Sequence, residues 1–63
     1  MTQKELSYVE DAIGHEENII KIMREEINNL DDEEVLNFLE KEINIHSSIK
    51  EKLMNLLKEK ANE

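Results

Sequence analysis

The chain has 63 residues, with 16 acidic and 8 basic side chains, a formal net charge of -8 and no cysteine. This length allows one domain, residues 1–63, whose own core is small for a stable monomer. The lack of cysteine excludes disulfides and thiolate zinc sites, and the negative charge disfavours nucleic acid and anionic membranes as partners.

The N-terminal segment and the overall composition favour a helical protein that stays where it is made. The first ten residues, MTQKELSYVE, lack the apolar run of a signal peptide. No segment approaches the roughly 20 apolar residues of a membrane span, so we expect a cytoplasmic protein. Glycine occurs once and proline is absent, so few positions interrupt a helix. The predicted fold class is therefore all-α.

The first helix is predicted over about residues 3–29. Thr2 and Glu5 have the spacing of a capping box at its start. Apolar residues then recur at alternating intervals of three and four, which is typical of a helix with one buried face. This stripe consists of Leu6, Val9, Ile13, Ile20, Met23 and Ile27, with Glu16 at its middle position. His15 lies at the edge of the stripe, and Gly14 is predicted on the solvent side.

The acidic segment NNLDDEE, residues 28–34, predicts the connection, with the turn at residues 30–31. Asp31 is the predicted N-cap of the second helix, with Glu34 completing a capping box. The second helix is predicted over about residues 32–60. Its predicted stripe consists of Val35, Leu39, Glu42, His46, Ile49, Leu53 and Leu56.

The two stripes fit one antiparallel hairpin, because paired positions have residue numbers that add to 62. In this register Glu16 lies opposite His46. Further apolar residues widen the stripes beyond what one partner helix covers, namely Tyr8, Ala12, Ile19, Ile22, Leu36, Phe38, Ile43, Ile45, Met54 and Leu57. We therefore predict a homodimer in which two hairpins form a four-helix bundle. A hairpin docked on a different protein is the alternative.

Glu16, Glu42 and His46 are the polar exceptions within the stripes, and they allow two interpretations. They form either a structural polar layer or a metal site for iron or manganese, since carboxylates and imidazole suit those ions. Ferritin-like bundles hold two metal ions with Glu and Glu-x-x-His groups, whereas here the glutamate precedes the histidine by four residues.

Other chemistry is disfavoured by the positions of the remaining candidates. Ser47 and Ser48 adjoin His46 in sequence but point in other directions on a helix, so nucleophilic catalysis is not expected. Met23 and Met54 are interpreted as core residues, and Lys50 is predicted to reach Glu16 or solvent. The chain is therefore predicted not to be an enzyme.

The segment LSYVEDAIGHEENIIK, residues 6–21, and the segment LEKEINIHSSIKEKLMNLL, residues 39–57, together resemble the spore coat F-like proteins of endospore-forming bacteria. That family is itself similar to the ferritin-like superfamily. The resemblance implies a half-length, spore-associated, ferritin-like helix pair with a structural rather than an enzymatic role. Only Glu16, Glu42 and His46 match positions that would inherit a metal role.

Two functions from different classes follow from the sequence. The first is a non-enzymatic, self-associating helical module, structural or adaptor-like and without a cofactor. The second is a ferritin-like carboxylate-histidine protein that binds two iron or manganese ions across a homodimer.

Overall fold

A computed structural model describes residues 1–61, which form two α-helices packed as a hairpin. Helix α1 covers Gln3–Ile27 and helix α2 covers Glu33–Ala61. The hairpin measures 47 × 14 × 11 Å, the shape of two long helices side by side, and the described range contains no strand. The predicted all-α hairpin is confirmed, while residues 62 and 63 of the predicted domain lie outside the described residues.

Helix α1 begins with the predicted capping box. The Thr2 hydroxyl accepts a hydrogen bond from the Glu5 amide at 3.1 Å, and the Glu5 carboxylate accepts one from the Thr2 amide at 2.8 Å. The backbone hydrogen bond from Thr2, helped by the Thr2 side chain, lowers the pKa of the Glu5 carboxyl. The helix ends two residues before the predicted position 29, where the Asn29 amide donates to the Glu26 carbonyl at 3.0 Å.

Asp32, and not the predicted Asp31, is the N-cap of helix α2. Its carboxylate accepts hydrogen bonds from the amides of Glu34 at 3.0 Å and Val35 at 3.1 Å. The first helical residue is Glu33. A carboxylate reaches these amides only from the residue directly before it, which is Asp32. Val35 then occupies the third helical position, so no acidic side chain is placed to complete a capping box. The connection therefore covers residues 28–32.

The face that α2 turns toward α1 differs from the predicted stripe. Val35, Ile49 and Leu56 were expected between the helices, but they are 41%, 38% and 39% exposed. A stripe of half-buried and buried positions on α2 has the same alternation of three and four: Leu36, Leu39, Ile43, His46, Lys50, Leu53 and Leu57. Glu42 and Ser47, which flank this stripe, are also half-buried. The two stripes share three positions, so helical periodicity fits both, and packing against α1 selects the second.

The core of a single hairpin is thin. Among residues 1–61, Ile20 on α1 and Ile43 on α2 are the most buried hydrophobic side chains, at 9% and 8% exposure. Ile20 lies about one turn from Glu16, and Ile43 lies about one turn from His46. Neither helix, over the described range, has a stretch long and apolar enough to cross a membrane.

Candidate functional site

Glu16 and His46 form a direct contact across the two helices. A carboxylate oxygen of Glu16 lies 2.5 Å from Nδ1 of His46, and the two side chains are 16% and 24% exposed. An ionised carboxylate can only accept a hydrogen bond, so this contact with an ionised Glu16 requires the form of His46 in which Nδ1 carries the hydrogen and donates it. The structure thus pairs the two residues that the antiparallel register placed opposite each other.

Glu42 approaches the other nitrogen of the same ring. Its carboxylate oxygen lies 3.8 Å from Nε2 of His46, one helical turn away on α2, and its side chain is 32% exposed. This distance is too long for a hydrogen bond. His46 therefore lies between two carboxylates, one from each helix, with Nδ1 engaged and Nε2 open. We call Glu16, Glu42 and His46 the polar layer.

The polar layer has the donor types of a metal site but is incomplete as one within a single chain. Within residues 1–61, no three His, Asp or Glu side chains form a group that could hold a metal ion. A hydrogen bond from Nδ1–H to a carboxylate is the arrangement that orients a histidine whose Nε2 binds metal. In that role, Glu16 would orient His46, and the pair His46 and Glu42 would supply the ligands.

A groove on one side of the hairpin went unrecognised in the sequence. It has a volume of about 630 Å³ and is lined by side chains from both helices, among them Glu17, Lys21, Arg24, Ser47, Lys50 and Met54. The Lys50 ammonium, predicted to reach Glu16 or solvent, lies 3.8 Å from the Glu17 carboxylate. Met54, interpreted from sequence as a core residue, is 49% exposed within one hairpin.

The opposite side of the hairpin carries a set of exposed apolar side chains from both helices, which we call the apolar face. It consists of Tyr8, Ile19, Ile22, Val35, Phe38, Ile45, Ile49 and Leu56, with exposures between 36% and 60%. Tyr8 precedes Glu17, and Ile45 precedes Met54, by nine residues, or about two and a half helical turns. Because Glu17 and Met54 line the groove, Tyr8 and Ile45 point away from it.

The solvent-accessible surface area of the hairpin is larger than expected for a compact monomer of its mass. The accessible surface is 5072 Å². A compact monomer of 7.5 kDa is expected to expose about 4,250 Å². The excess of about 800 Å² equals what one partner buries in a standard protein interface.

In comparisons with known protein families, curated proteins and solved structures, nothing matches this chain at a significant level. The resemblance to the spore coat F-like proteins therefore stays a prediction. The interpretation of the polar layer and the apolar face depends on geometry.

Proposed function

We propose that this chain is a non-enzymatic helical module that self-associates into a homodimeric four-helix bundle and acts as a structural or adaptor component. The observation that carries the proposal is the apolar face. It covers one side of both helices, while the hairpin has little core of its own. A second copy is the partner that covers this face with the least additional machinery, since two-fold dimers are the commonest oligomers.

The position of the polar layer supports a second copy as the partner. Glu16 lies near the middle of Gln3–Ile27, and His46 lies near the middle of Glu33–Ala61. When two hairpins pack with their centres aligned, the polar layer of one copy therefore contacts the polar layer of the other. The aliphatic side chains toward the ends of the helices likewise contact those of the second copy. A polar position that such packing would bury fixes the register of helical bundles, because sliding by one layer would place the polar groups against aliphatic side chains.

The composition of the chain and its resemblance to a known family indicate what kind of partner it has and where it acts. The chain is strongly acidic, with a net charge of -8, which suits a protein partner better than a phosphate backbone. We infer a cytoplasmic protein from the N-terminal composition and hydropathy, and a contribution to a spore-associated assembly from the resemblance to the spore coat F-like proteins.

Ile45 and Met54 offer a matched pair of substitutions that tests the self-association. They are 50% and 49% exposed, belong to the same helix and point in opposite directions. Ile45→Glu places a charge on the apolar face, so we expect sedimentation equilibrium to show a monomer with reduced helicity. Met54→Glu places the same charge beside the groove and should leave the dimer intact. A monomeric, fully helical wild type at micromolar concentration would contradict the proposal.

The geometry of the polar layer favours one second candidate, the binding of iron or manganese. Glu16 holds Nδ1 of His46, which leaves Nε2 and the Glu42 carboxylate 3.8 Å apart, close enough for one cation to contact both. Two copies would together supply two imidazoles and two carboxylates for such ions, with Glu16 of each copy orienting the ring.

Metal content decides this second candidate. Protein purified without chelator, and then supplied with iron(II) under anaerobic conditions, is analysed for bound metal per dimer. Stoichiometric iron or manganese that is lost in Glu42→Gln supports the metal-binding function. Protein that remains metal-free after loading rules it out and leaves the polar layer with its structural role.

A further inference from the structure

Two copies of the hairpin can cover each other's apolar face with the two-fold axis in either of two directions. If the axis runs parallel to the helices, α1 of one copy packs against α2 of the other. If it runs across them, α1 packs against α1 and α2 against α2. In both cases the polar layers meet, since Glu16 and His46 lie at mid-length. The charges at the edges of the apolar face distinguish the two directions.

The edge of the apolar face on each helix carries exposed charged residues. On α1 they are Lys4, Asp11 and Glu26, and on α2 they are Glu34, Lys41, Lys52 and Glu59. Each lies a near-whole number of turns from Ile22 or Ile45 of the apolar face, so each points to the same side as those residues. Heights along the bundle follow from the contact between Glu16 and His46 and a rise of about 1.5 Å per residue.

With the axis parallel to the helices, opposite charges meet at two heights of the bundle. Lys4 lies level with Glu59 of the second copy, and Asp11 lies level with Lys52 of the second copy. Symmetry repeats both pairs. One like-charge approach remains, between Glu26 and Glu34 near the hairpin turn.

With the axis across the helices, like charges dominate. Lys41 lies level with Lys52 of the second copy, and Glu34 lies level with Glu59. The single opposite-charge pair joins Lys4 and Glu26. Like charges held at an interface disfavour an arrangement, so the edges select against this direction of the axis.

The apolar residues also interdigitate when the axis is parallel to the helices. Ile22 then lies at a height between Phe38 and Glu42 of the second copy, and Ile19 lies between Glu42 and Ile45. A side chain that enters the space between two residues of the facing helix is the packing of coiled coils and bundles. We therefore propose, on the basis of the proposed function, that the two copies are related by an axis parallel to the helices, with α1 of each against α2 of the other.

Cysteine cross-linking tests this proposal directly, because the chain has no cysteine of its own. Asp11→Cys and Lys52→Cys are prepared separately, mixed and oxidised. We expect mixed disulfide dimers from the mixture and little cross-linking from either variant alone. Glu51→Cys is the control for Lys52→Cys, because Glu51 lies at nearly the same height but lines the groove. It should not form a disulfide with Asp11→Cys.

His15→Cys tests the other direction of the axis. His15 lies near mid-length of α1 on the same side as Tyr8, so two copies of it approach only if the axis runs across the helices. Efficient self-cross-linking of His15→Cys, without mixed Asp11→Cys and Lys52→Cys dimers, would overturn the proposal. The homodimer itself would still stand, because sedimentation before oxidation reports it independently. A wild type that sediments as a monomer would overturn both.

Charge reversal provides a second measurement without cross-linking. Asp11→Lys should raise the dimer dissociation constant about tenfold, because it opposes Lys52 at two symmetric contacts. The double variant Asp11→Lys with Lys52→Asp restores opposite charges and should recover most of the affinity. A double variant that dimerises no better than Asp11→Lys would contradict the pairing.

Discussion

Glu16 and His46 are joined across the hairpin by a contact of 2.5 Å between a carboxylate oxygen and Nδ1. Both residues lie at mid-length of their helices. The contact between them therefore defines which residues of the two antiparallel helices lie at the same height. Glu42 approaches Nε2 of the same ring at 3.8 Å, which places the imidazole between carboxylates from both helices. The contact is therefore central to both proposed functions, as a register-setting layer or as half of a metal site.

Replacing Glu16 and His46 together by leucine should be neutral or stabilising by about 1–4 kcal/mol, because it removes two desolvated groups and restores the aliphatic repeat. Each single leucine variant should instead lose about 1–3 kcal/mol, because the remaining partner keeps no hydrogen bond. Thermal and urea melts of all four proteins measure the effect, and sedimentation shows whether the double variant keeps a single oligomeric state. A double variant less stable than the worse single variant would contradict the pairing.

The same four proteins distinguish the two roles of the polar layer when the melts are repeated with iron(II) and with chelator. A ligand that binds only the folded state raises stability, so a metal site predicts a higher melting temperature with iron in the wild type, a smaller increase in the Glu16→Leu variant, and none in the two variants that lack His46. A structural layer predicts melting temperatures that iron and chelator leave unchanged.

Asp32→Ala should destabilise the protein by about 1 kcal/mol, because it removes the hydrogen bonds to the amides of Glu34 and Val35. Asp31→Ala is the matched control. It removes the same charge from the neighbouring position and should have little effect. Urea unfolding monitored by circular dichroism measures both variants. Equal losses in the two would indicate that the acidic charge near the helix end matters, rather than the N-cap contact.

Gly14→Ala should stabilise the protein by about 1 kcal/mol. Gly14 lies within α1, and a Cβ atom there would meet nothing within 4 Å. The alanine loses less backbone entropy than glycine when the helix forms. Asn18→Ala, also at an exposed position of the same helix, should stabilise by a smaller amount. A loss of stability in Gly14→Ala, seen in thermal melts, would place Gly14 in a close contact of the assembled state.

The capping box of α1 predicts a local dependence on acid. Its hydrogen bonds lower the pKa of the Glu5 carboxyl from its ordinary value of 4.5. The associated stabilisation is therefore present above about pH 4.5 and is lost as the pH falls through the lower pKa of the folded state. Titration of the Glu5 carboxyl by NMR should give a midpoint below 4.5. Glu5→Gln keeps a hydrogen-bonding side chain and should flatten this part of the stability profile, whereas an unchanged profile would contradict the prediction.

The sequence by itself determined the two helices, the Thr2 and Glu5 cap and the opposition of Glu16 to His46. Each of these depends on local chemistry or on a period that only one register satisfies. It did not determine which side of α2 meets α1. The predicted stripe through Val35 and Ile49 and the observed stripe through Ile43 and Lys50 have the same spacing and share Leu39, His46 and Leu53.

Packing in three dimensions decided between these two stripes. The apolar arc of α2 is wide enough for a small rotation of the helix to bury either one, and no local signal distinguishes them. The chosen rotation brings Lys50 to Glu17, exposes Met54 at the groove and leaves Ile45 on the apolar face. The sequence also did not determine the N-cap of α2, because the adjacent residues Asp31 and Asp32 have equal capping propensity. Only the point where the backbone becomes helical selects Asp32.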